Sequence, residues 1–164
     1  MNNSVQDNFS RYHQKAFVAQ LAEKLTGKIP VIVCAEHLSG NAHILANQIN
    51  ESAKQIALYF FLPELNHHLL EGLTFPKANR RDLFFLFFNS DNYFSRNQRR
   101  LKLTEEVLAK QKIKYRHFEL TGTRLEEAGQ LLVLGSLLSY RLALVNGVEP
   151  AKIPWVNYFK RRLG

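Results

Sequence analysis

The first place where side chain types and spacing suggest chemistry is a predicted helix that carries His43, Asn47 and Glu51. These residues recur every four positions and therefore share one side of the helix, and Lys54 follows three residues further on. Glu51 falls in the last turn, where the negative end of the helix dipole disfavours a charged carboxylate. A carboxylate in that setting is suited to act as a general base near neutral pH. The alternative is an ordinary solvated polar face.

Two further candidates are His67 and Lys160. His67 ends the run Pro63–His67, at the carboxyl end of a predicted strand, where ligands of parallel α/β sheets bind. An imidazole there can transfer protons near neutral pH, and the alternative is a capping or surface histidine. Lys160 lies one turn after Val156, at the edge of the apolar side of the last predicted helix. Its ammonium can point into a covered pocket, or its stem can simply extend along the surface.

Other kinds of chemistry lack their motifs. Neither the dinucleotide nor the Walker type of glycine-rich phosphate loop is present, and no cluster of His, Cys and Asp has zinc spacing. His67 and His68 are adjacent, and neighbours on a helix point about 100° apart, so we expect them to share no metal ion. Cys34 lies inside a predicted buried strand, where we expect an inert core thiol, and a lone cysteine excludes a disulfide framework.

Length and composition predict one globular domain. Apolar residues make up 46% of the chain, which excludes a disordered protein, and 164 residues are too few for two full-sized domains. The longest apolar stretch, Leu131–Val145, is interrupted by glycine, serine and arginine, so we expect no membrane span. Met1–Asn8 reads as a flexible polar tail without a signal peptide, which leaves residues 9–164 as the domain and a cytoplasmic location as the expectation.

The net charge of +8 attracts anions without identifying them. Solvated basic faces are the simplest explanation, and a small phosphorylated ligand and nucleic acid are the alternatives. The sequence has no zinc-finger spacing, no aromatic RNA-binding motif and no basic zipper. Nucleic acid is therefore not the expected partner.

Strands and helices alternate about four times along the chain. Four segments predict strands, most of them buried on both faces: Ile29–Ala35, Gln55–Phe61, Leu83–Phe88 and Lys114–Leu120. Helical patterns predict a helix from Phe9 or Ser10 to Leu25, one capped by Ser39, and others at Arg96–Gln111, Arg124–Asn146 and from Pro154 onward.

This alternation predicts an α/β fold, a three-layer αβα sandwich with a parallel sheet of four to five strands and right-handed crossovers. Ligands of such sheets bind in the loops that follow the strands. Those loops are Ala35–Ser39, Leu62–His68, Asn89–Asn97 and Leu120–Thr123.

Four segments together form a more specific pattern, namely Ile29–Leu38, Asn47–Lys54, Leu62–His67 and Asn146–Lys160. They contain an Asn-Gln-x-x-Glu element and a Pro-Glu-x-Asn-His element, sixteen residues apart from Glu51 to His67. From about Phe17 to its end, the chain resembles the C-terminal domain of the bifunctional phosphoglucose/phosphomannose isomerases of the sugar isomerase (SIS) superfamily. The resemblance implies a flavodoxin-like sheet of the SIS type.

The resemblance also implies a reaction of glycolysis and gluconeogenesis, the conversion of glucose 6-phosphate or mannose 6-phosphate to fructose 6-phosphate, without metal or cofactor. In that reaction Glu51 resembles the base that moves a proton between the two carbons of an enediol. His67 resembles the residue that assists ring opening across a dimer interface, and Lys160 the lysine that reaches the sugar oxygens. The implied substrate-binding residues are Asn47, Asn66 and Glu36.

The sequence departs from the family pattern in two places and lacks one half of it. Members usually continue Asn-His-Asn-Glu, whereas His68 and Leu69 follow here, and Ile153 stands where some members place a threonine. Members also have an N-terminal SIS domain with a Ser/Thr-rich phosphate loop, and nothing in this sequence resembles it. The expected partners are therefore that domain, a second copy of the chain and a hexose 6-phosphate. The alternative is a non-catalytic sugar-phosphate-binding or assembly module.

Overall fold

The four predicted strands form one parallel sheet. The computed structural model describes residues 14–164, and its strands are β1 (Ile29–Ala35), β2 (Leu58–Leu62), β3 (Leu83–Ser90) and β4 (Lys114–Leu120). The order across the sheet is β2-β1-β3-β4, and all neighbouring pairs are parallel. From β1 the chain moves outward to β2, and from β3 it moves outward to β4 on the other side. The carboxyl ends of β1 and β3 therefore form the topological switch point.

Helices cover both faces of the sheet, which confirms the predicted αβα architecture. Their bounds are α1 (Lys15–Leu25), α2 (Ser39–Ser52), α3 (Leu69–Gly72), α4 (Asn79–Asp82), α5 (Ser95–Gln111), α6 (Arg124–Val145) and α7 (Pro154–Leu163). Right-handed crossovers in opposite directions place α2 and α5 on opposite faces. Helix α6 packs against both α1 and α2, and α5 packs against β2, β3 and β4.

The predicted start of the chain lies outside the described residues. This applies to the polar tail and to the beginning of the first helix at Phe9 or Ser10. Within the described residues, α1 begins at Lys15 and ends at Leu25, where the prediction also ends it. Its buried side chains are Val18, Leu21, Ala22 and Leu25.

Several predicted boundaries differ by one to three residues, for example β3 ends at Ser90 rather than Phe88, and two of the differences have clear local reasons. Ser39 does not cap α2 but is its first residue, because Glu36–Leu38 form a 3-10 turn that leads directly into the helix. Strand β2 begins at Leu58 rather than Gln55. The amide of Gln55 donates instead to the carbonyl oxygens at the end of α1 and of the following turn, at 2.7 and 2.8 Å.

The core lies on both faces of the central strands. Val31–Ala35 of β1 are at most 1% exposed, and Phe85–Phe88 of β3 are equally buried. Cys34 is part of this core, and burial raises the pKa of its thiol well above the usual range. Its position agrees with the predicted core thiol.

Helix α6 is the one helix within residues 14–164 that is long and apolar enough to cross a membrane, judged by length and composition alone. Leu131, Leu134, Leu138 and Leu142 are at most 1% exposed in this fold. The apolar character of α6 thus serves its packing on α1 and α2. The opposite side leaves an exposed apolar strip, the outer strip of α6, made of Leu132, Val133, Leu137, Tyr140 and Leu144.

Helices α2 and α6 approach each other closely at Gly135. A Cβ atom at this position would lie 2.3 Å from Gln48 Oε1 and 3.0 Å from Leu45 Cδ1. Gln48 is held in place because its Nε2 donates to Ser136 Oγ at 3.0 Å. A side chain at position 135 would push Gln48 out of this hydrogen bond.

We expect Gly135→Ala to leave the chain about 1 kcal/mol less stable than a glycine-to-alanine change elsewhere in α6, because the added methyl displaces Gln48 from its hydrogen bond and crowds Leu45. Gly129→Ala in the same helix is the matched control, since a Cβ there meets nothing within 4 Å. Removing a glycine from the helix interior should raise the free energy of unfolding by about 0.5–1 kcal/mol. Urea denaturation measures both variants, and equal stabilisation would contradict the close approach.

Candidate functional site

The predicted base, Glu51, lies at the amino-terminal edge of the sheet. Helix α2 follows the carboxyl end of β1 and runs back across the sheet, so its last turn reaches the opposite edge. The Glu51 side chain is exposed there, and the exposed residues Asn47 and His43 precede it on the same side of the helix. The His43 ring stacks on Tyr59 with centroids 4.5 Å apart. The three side chains therefore share one side of α2, as their spacing predicts.

Lys160 belongs to a helix that starts from the same edge. Asn146, just after α6, donates from Nδ2 to Ala53 O at 3.1 Å and to Gln55 Oε1 at 2.9 Å. These bonds join the end of α6 to the end of α2. Helix α7 follows with a proline in its first turn, as predicted, and all of its residues, Lys160 included, are exposed. Its apolar side chains are not covered in the single chain, since Trp155 is 82% exposed.

His67 lies at the carboxyl-terminal edge of the sheet. It ends a 3-10 turn, Glu64–His67, that follows β2. Asn66 joins this turn to α5 by donating to Thr104 Oγ1 at 2.7 Å, and the His67 side chain is exposed. Helix α2 has 14 residues and at 1.5 Å per residue spans about 20 Å. Glu51 and His67 of one chain therefore lie near opposite ends of α2 and do not share one site.

His67 differs from the other described histidines because it has no partner within residues 14–164. His37, His43, His68 and His117 each contact a carboxylate or an aromatic ring. The carboxylate of Glu51 and the ammonium of Lys160 are likewise without hydrogen bonds or ion pairs among the described residues. These three side chains are thus available to an incoming molecule.

At the switch point, by contrast, the loops are tied together by their own side chains. Glu36, directly after β1, has a left-handed φ of 48°, which is uncommon for a residue other than glycine. Its Oε1 accepts hydrogen bonds from Phe94 N at 2.9 Å and from Asn97 Nδ2 at 2.8 Å. Glu36 therefore holds the loop after β1 against the beginning of α5.

A fully buried carboxylate, Glu127, lies at the same switch point. Ser90 Oγ donates to Glu127 Oε2 at 2.7 Å, Asn92 Nδ2 donates to Oε1 at 2.9 Å, and His37 Nε2 lies 2.7 Å from Oε2. Asn92 also donates to Gly122 O at 2.8 Å, so the loops after β1, β3 and β4 are joined. A buried carboxylate is costly unless it is hydrogen-bonded, and these groups satisfy it.

Sequence reasoning missed Glu127, although its spacing carries a signal. Glu127 lies four residues before Leu131 and seven before Leu134, which places it on the buried face of α6. A capping box formed by Thr123 and Glu126 starts the helix and thereby fixes which side of α6 Glu127 faces. A carboxylate on the buried side of a helix, next to the carboxyl ends of strands, indicates a polar network inside the protein.

A second carboxylate–histidine cluster lies on the opposite face of the sheet, on β4. The two ring nitrogens of His117 contact Glu105 and Glu119, and Asn89 Nδ2 donates to Glu119. The hydrogen bond with Glu105 raises the pKa of His117 against the opposing effect of burial, and Glu119 adds to the rise. The cluster joins α5 to the edge strand. No group of three or more His, Cys, Asp or Glu within residues 14–164 is arranged to hold a metal ion.

This geometry defines a class of protein by its fold. A glucose-6-phosphate isomerase like protein from Thermus thermophilus superposes with a TM-score of 0.68 at 19% identity, over 85% of this chain and 46% of that one. The described domain thus shares the three-layer α/β fold of that protein.

Sequence comparison identifies the family. The family model of the bacterial phospho-glucose isomerase C-terminal SIS domain matches residues 15–163, and the chain belongs to this family. The bifunctional phosphoglucose/phosphomannose isomerase of Thermoplasma volcanium is 30% identical over 82% of this chain and 43% of its own length. That of Pyrobaculum aerophilum is 28% identical over 91% of this chain and 44% of its own length. The chain spans less than half the length of these relatives. The match confirms the resemblance to the C-terminal SIS domain that the sequence motifs indicate.

We expect Glu127→Ala to lower the free energy of unfolding by about 3 kcal/mol, because Ser90, Asn92 and His37 lose their shared acceptor. Glu126→Ala is the control: this neighbouring exposed residue loses only its part in the capping box, which costs about 1 kcal/mol. Chemical denaturation at neutral pH measures both losses. If the two were equal, Glu127 would not be what joins the loops of the switch point.

Proposed function

We propose that this chain is the C-terminal half of a phosphosugar isomerase that interconverts glucose 6-phosphate or mannose 6-phosphate with fructose 6-phosphate. One observation carries the proposal. The three side chains at the family's motif positions, Glu51, His67 and Lys160, are exposed and unpaired within the described residues, whereas the other described histidines have partners. Because these side chains make no hydrogen bond or ion pair within the described part of the domain, they remain available to bind and act on a substrate.

The proposed chemistry moves one proton between neighbouring carbons. In the open-chain aldose, the Glu51 carboxylate removes the proton from C2, and the C1 carbonyl oxygen gains a proton as the enediol forms. Return of the carbon-bound proton to C1, with loss of the hydroxyl proton at C2, gives the ketose. A positioned carboxylate is suited to this exchange as a general base. His67 protonates the ring oxygen during ring opening, and Lys160 contacts the sugar oxygens.

The proposed active site combines two copies of the chain. Glu51 and the segment leading to Lys160 lie at the amino-terminal edge of the sheet, whereas His67 lies at the opposite edge. We therefore propose a homodimer in which each site takes Glu51 and Lys160 from one copy and His67 from the other. Helix α7 and the outer strip of α6 leave apolar side chains exposed, and such patches mark interaction surfaces.

The phosphate group needs a further partner. The donors at the switch point, Ser90 and Asn92, are used by the buried carboxylate of Glu127. We propose that an N-terminal SIS domain, in the same longer protein or in another chain, provides the phosphate site. Without that contact an isomerase loses the remote binding energy that positions the sugar.

We expect the chain assembled with such an N-terminal domain to form fructose 6-phosphate from glucose or mannose 6-phosphate, and the chain alone to show little turnover. Glu51→Gln should lower kcat by about 10²–10⁴-fold, because it removes the general base. Glu106→Gln, at an exposed carboxylate of α5, is the matched control and should retain full activity. Full turnover by the Glu51 variant would rule out this assignment.

A non-catalytic sugar-phosphate-binding or assembly module is the second candidate. It is favoured by the separation of about 20 Å between Glu51 and His67 within one chain, which leaves no complete set of catalytic groups in a single copy, and a SIS fold does not by itself confer activity. Calorimetry with fructose 6-phosphate distinguishes the two functions. Binding without turnover, in the presence of the N-terminal domain, would favour the second.

A further inference from the structure

One hydrogen bond within the described residues joins the segment 149–164 to the rest of the domain. It runs from Lys54 Nζ to Pro150 O and is 2.9 Å long. The other hydrogen bonds and the ion pair of this segment remain inside it, as between Lys152 and Glu149. Helix α7 contains no buried residue. Its position therefore depends strongly on how Pro150 is held.

Lys54 occupies a position where the backbone favours glycine. It comes just after the end of α2 and has a left-handed φ of 54°. The same ammonium that reaches Pro150 also donates to Glu51 O, one of the carbonyls left without an intrahelical partner at the end of α2. A cation is also favoured at the negative end of a helix. A disfavoured backbone conformation is thus combined with a side chain that bridges two segments far apart in the sequence.

We propose that Lys54 is a positioning residue, whose ammonium fixes the segment carrying α7 beside the end of α2 that carries Glu51. Lys160 lies about 9 Å along α7 from its start, so a shift at Pro150 moves Lys160 relative to Glu51. The consequence for catalysis rests on the proposed function, whereas the tether itself does not.

Lys112 provides a matched control within the same chain. It follows α5 as Lys54 follows α2, is exposed and has a left-handed φ of 61°. Its ammonium has no hydrogen-bond partner within residues 14–164. Glycine at either position relieves the same backbone cost, but only Lys54→Gly removes a contact with another segment.

The tether can be tested by the fluorescence of Trp155, the one tryptophan in the sequence, which lies in the first turn of α7. In the full chain, diluted until it sediments as a monomer so that no second copy covers α7, we expect Lys54→Gly to increase the amplitude of the nanosecond anisotropy decay by about twofold, because α7 gains freedom relative to the domain. Lys54→Arg retains donors for both carbonyls and should match the wild type, as should Lys112→Gly. No change in Lys54→Gly, or an equal change in Lys112→Gly, would overturn the proposal.

The catalytic consequence is measured in the isomerase assembled with its N-terminal domain. We expect Lys54→Gly to lower kcat by about tenfold with KM changed less than about twofold, because Lys160 is misplaced while the phosphate contacts proposed for the N-terminal domain, which supply most of the binding, are retained. Lys54→Arg should restore kcat. Increased motion of Trp155 with unchanged kcat would overturn the positioning role. Absence of activity in the wild-type assembly would instead refute the proposed function, and the fluorescence would still decide the tether.

Discussion

In a parallel sheet the chain must cross back to the starting edge of the sheet after each strand. Here α2 makes that crossing, and it therefore separates Glu51 from His67, the two groups proposed to transfer protons. The helix begins at the carboxyl end of β1 and carries Glu51 to the amino-terminal edge. Strand β2 then runs forward again and places His67 beyond its own carboxyl end. The resulting separation of about 20 Å follows from helix geometry and from the direction of the strands. Small adjustments of side chains or loops cannot remove it.

The two edges of the sheet consequently have different roles. At the carboxyl-terminal edge, where many α/β proteins bind ligands, Glu127 and its donors close the switch point with the protein's own groups. At the amino-terminal edge, a hydrogen bond from Asn146 joins the end of α6 to the end of α2. A second one, from Lys54, joins the end of α2 to the start of the segment that leads to α7. The side chains of Glu51 and Lys160, which have no partner within residues 14–164, come from these elements. We infer that substrate binds where this edge meets other domains.

The sequence predicted those parts of the structure that local patterns determine. Strands β1 and β4 have the predicted bounds. The apolar run marks β1, and the ends of the neighbouring helices mark β4, so both signals can be read from the local sequence. The sharing of one side of α2 by Asn47 and Glu51 also follows from local spacing. The closed switch point was not predicted, because Glu127 meets Ser90 and His37 only after the topology brings three loops together. The contact of Lys54 with Pro150 has no local signal for the same reason.

The proposed sharing of sites between copies is tested most directly by mixing two defective chains. Glu51→Gln and His67→Ala chains are co-expressed in equal amounts with the N-terminal domain, and isomerase activity is compared with that of each variant alone. Random pairing in a symmetric dimer puts half of the molecules into mixed pairs, each with one intact site, so we predict about a quarter of the wild-type activity. If the mixture is no more active than the separate variants while mixed dimers form, Glu51 and His67 do not meet across two copies and the active site is not shared in this way.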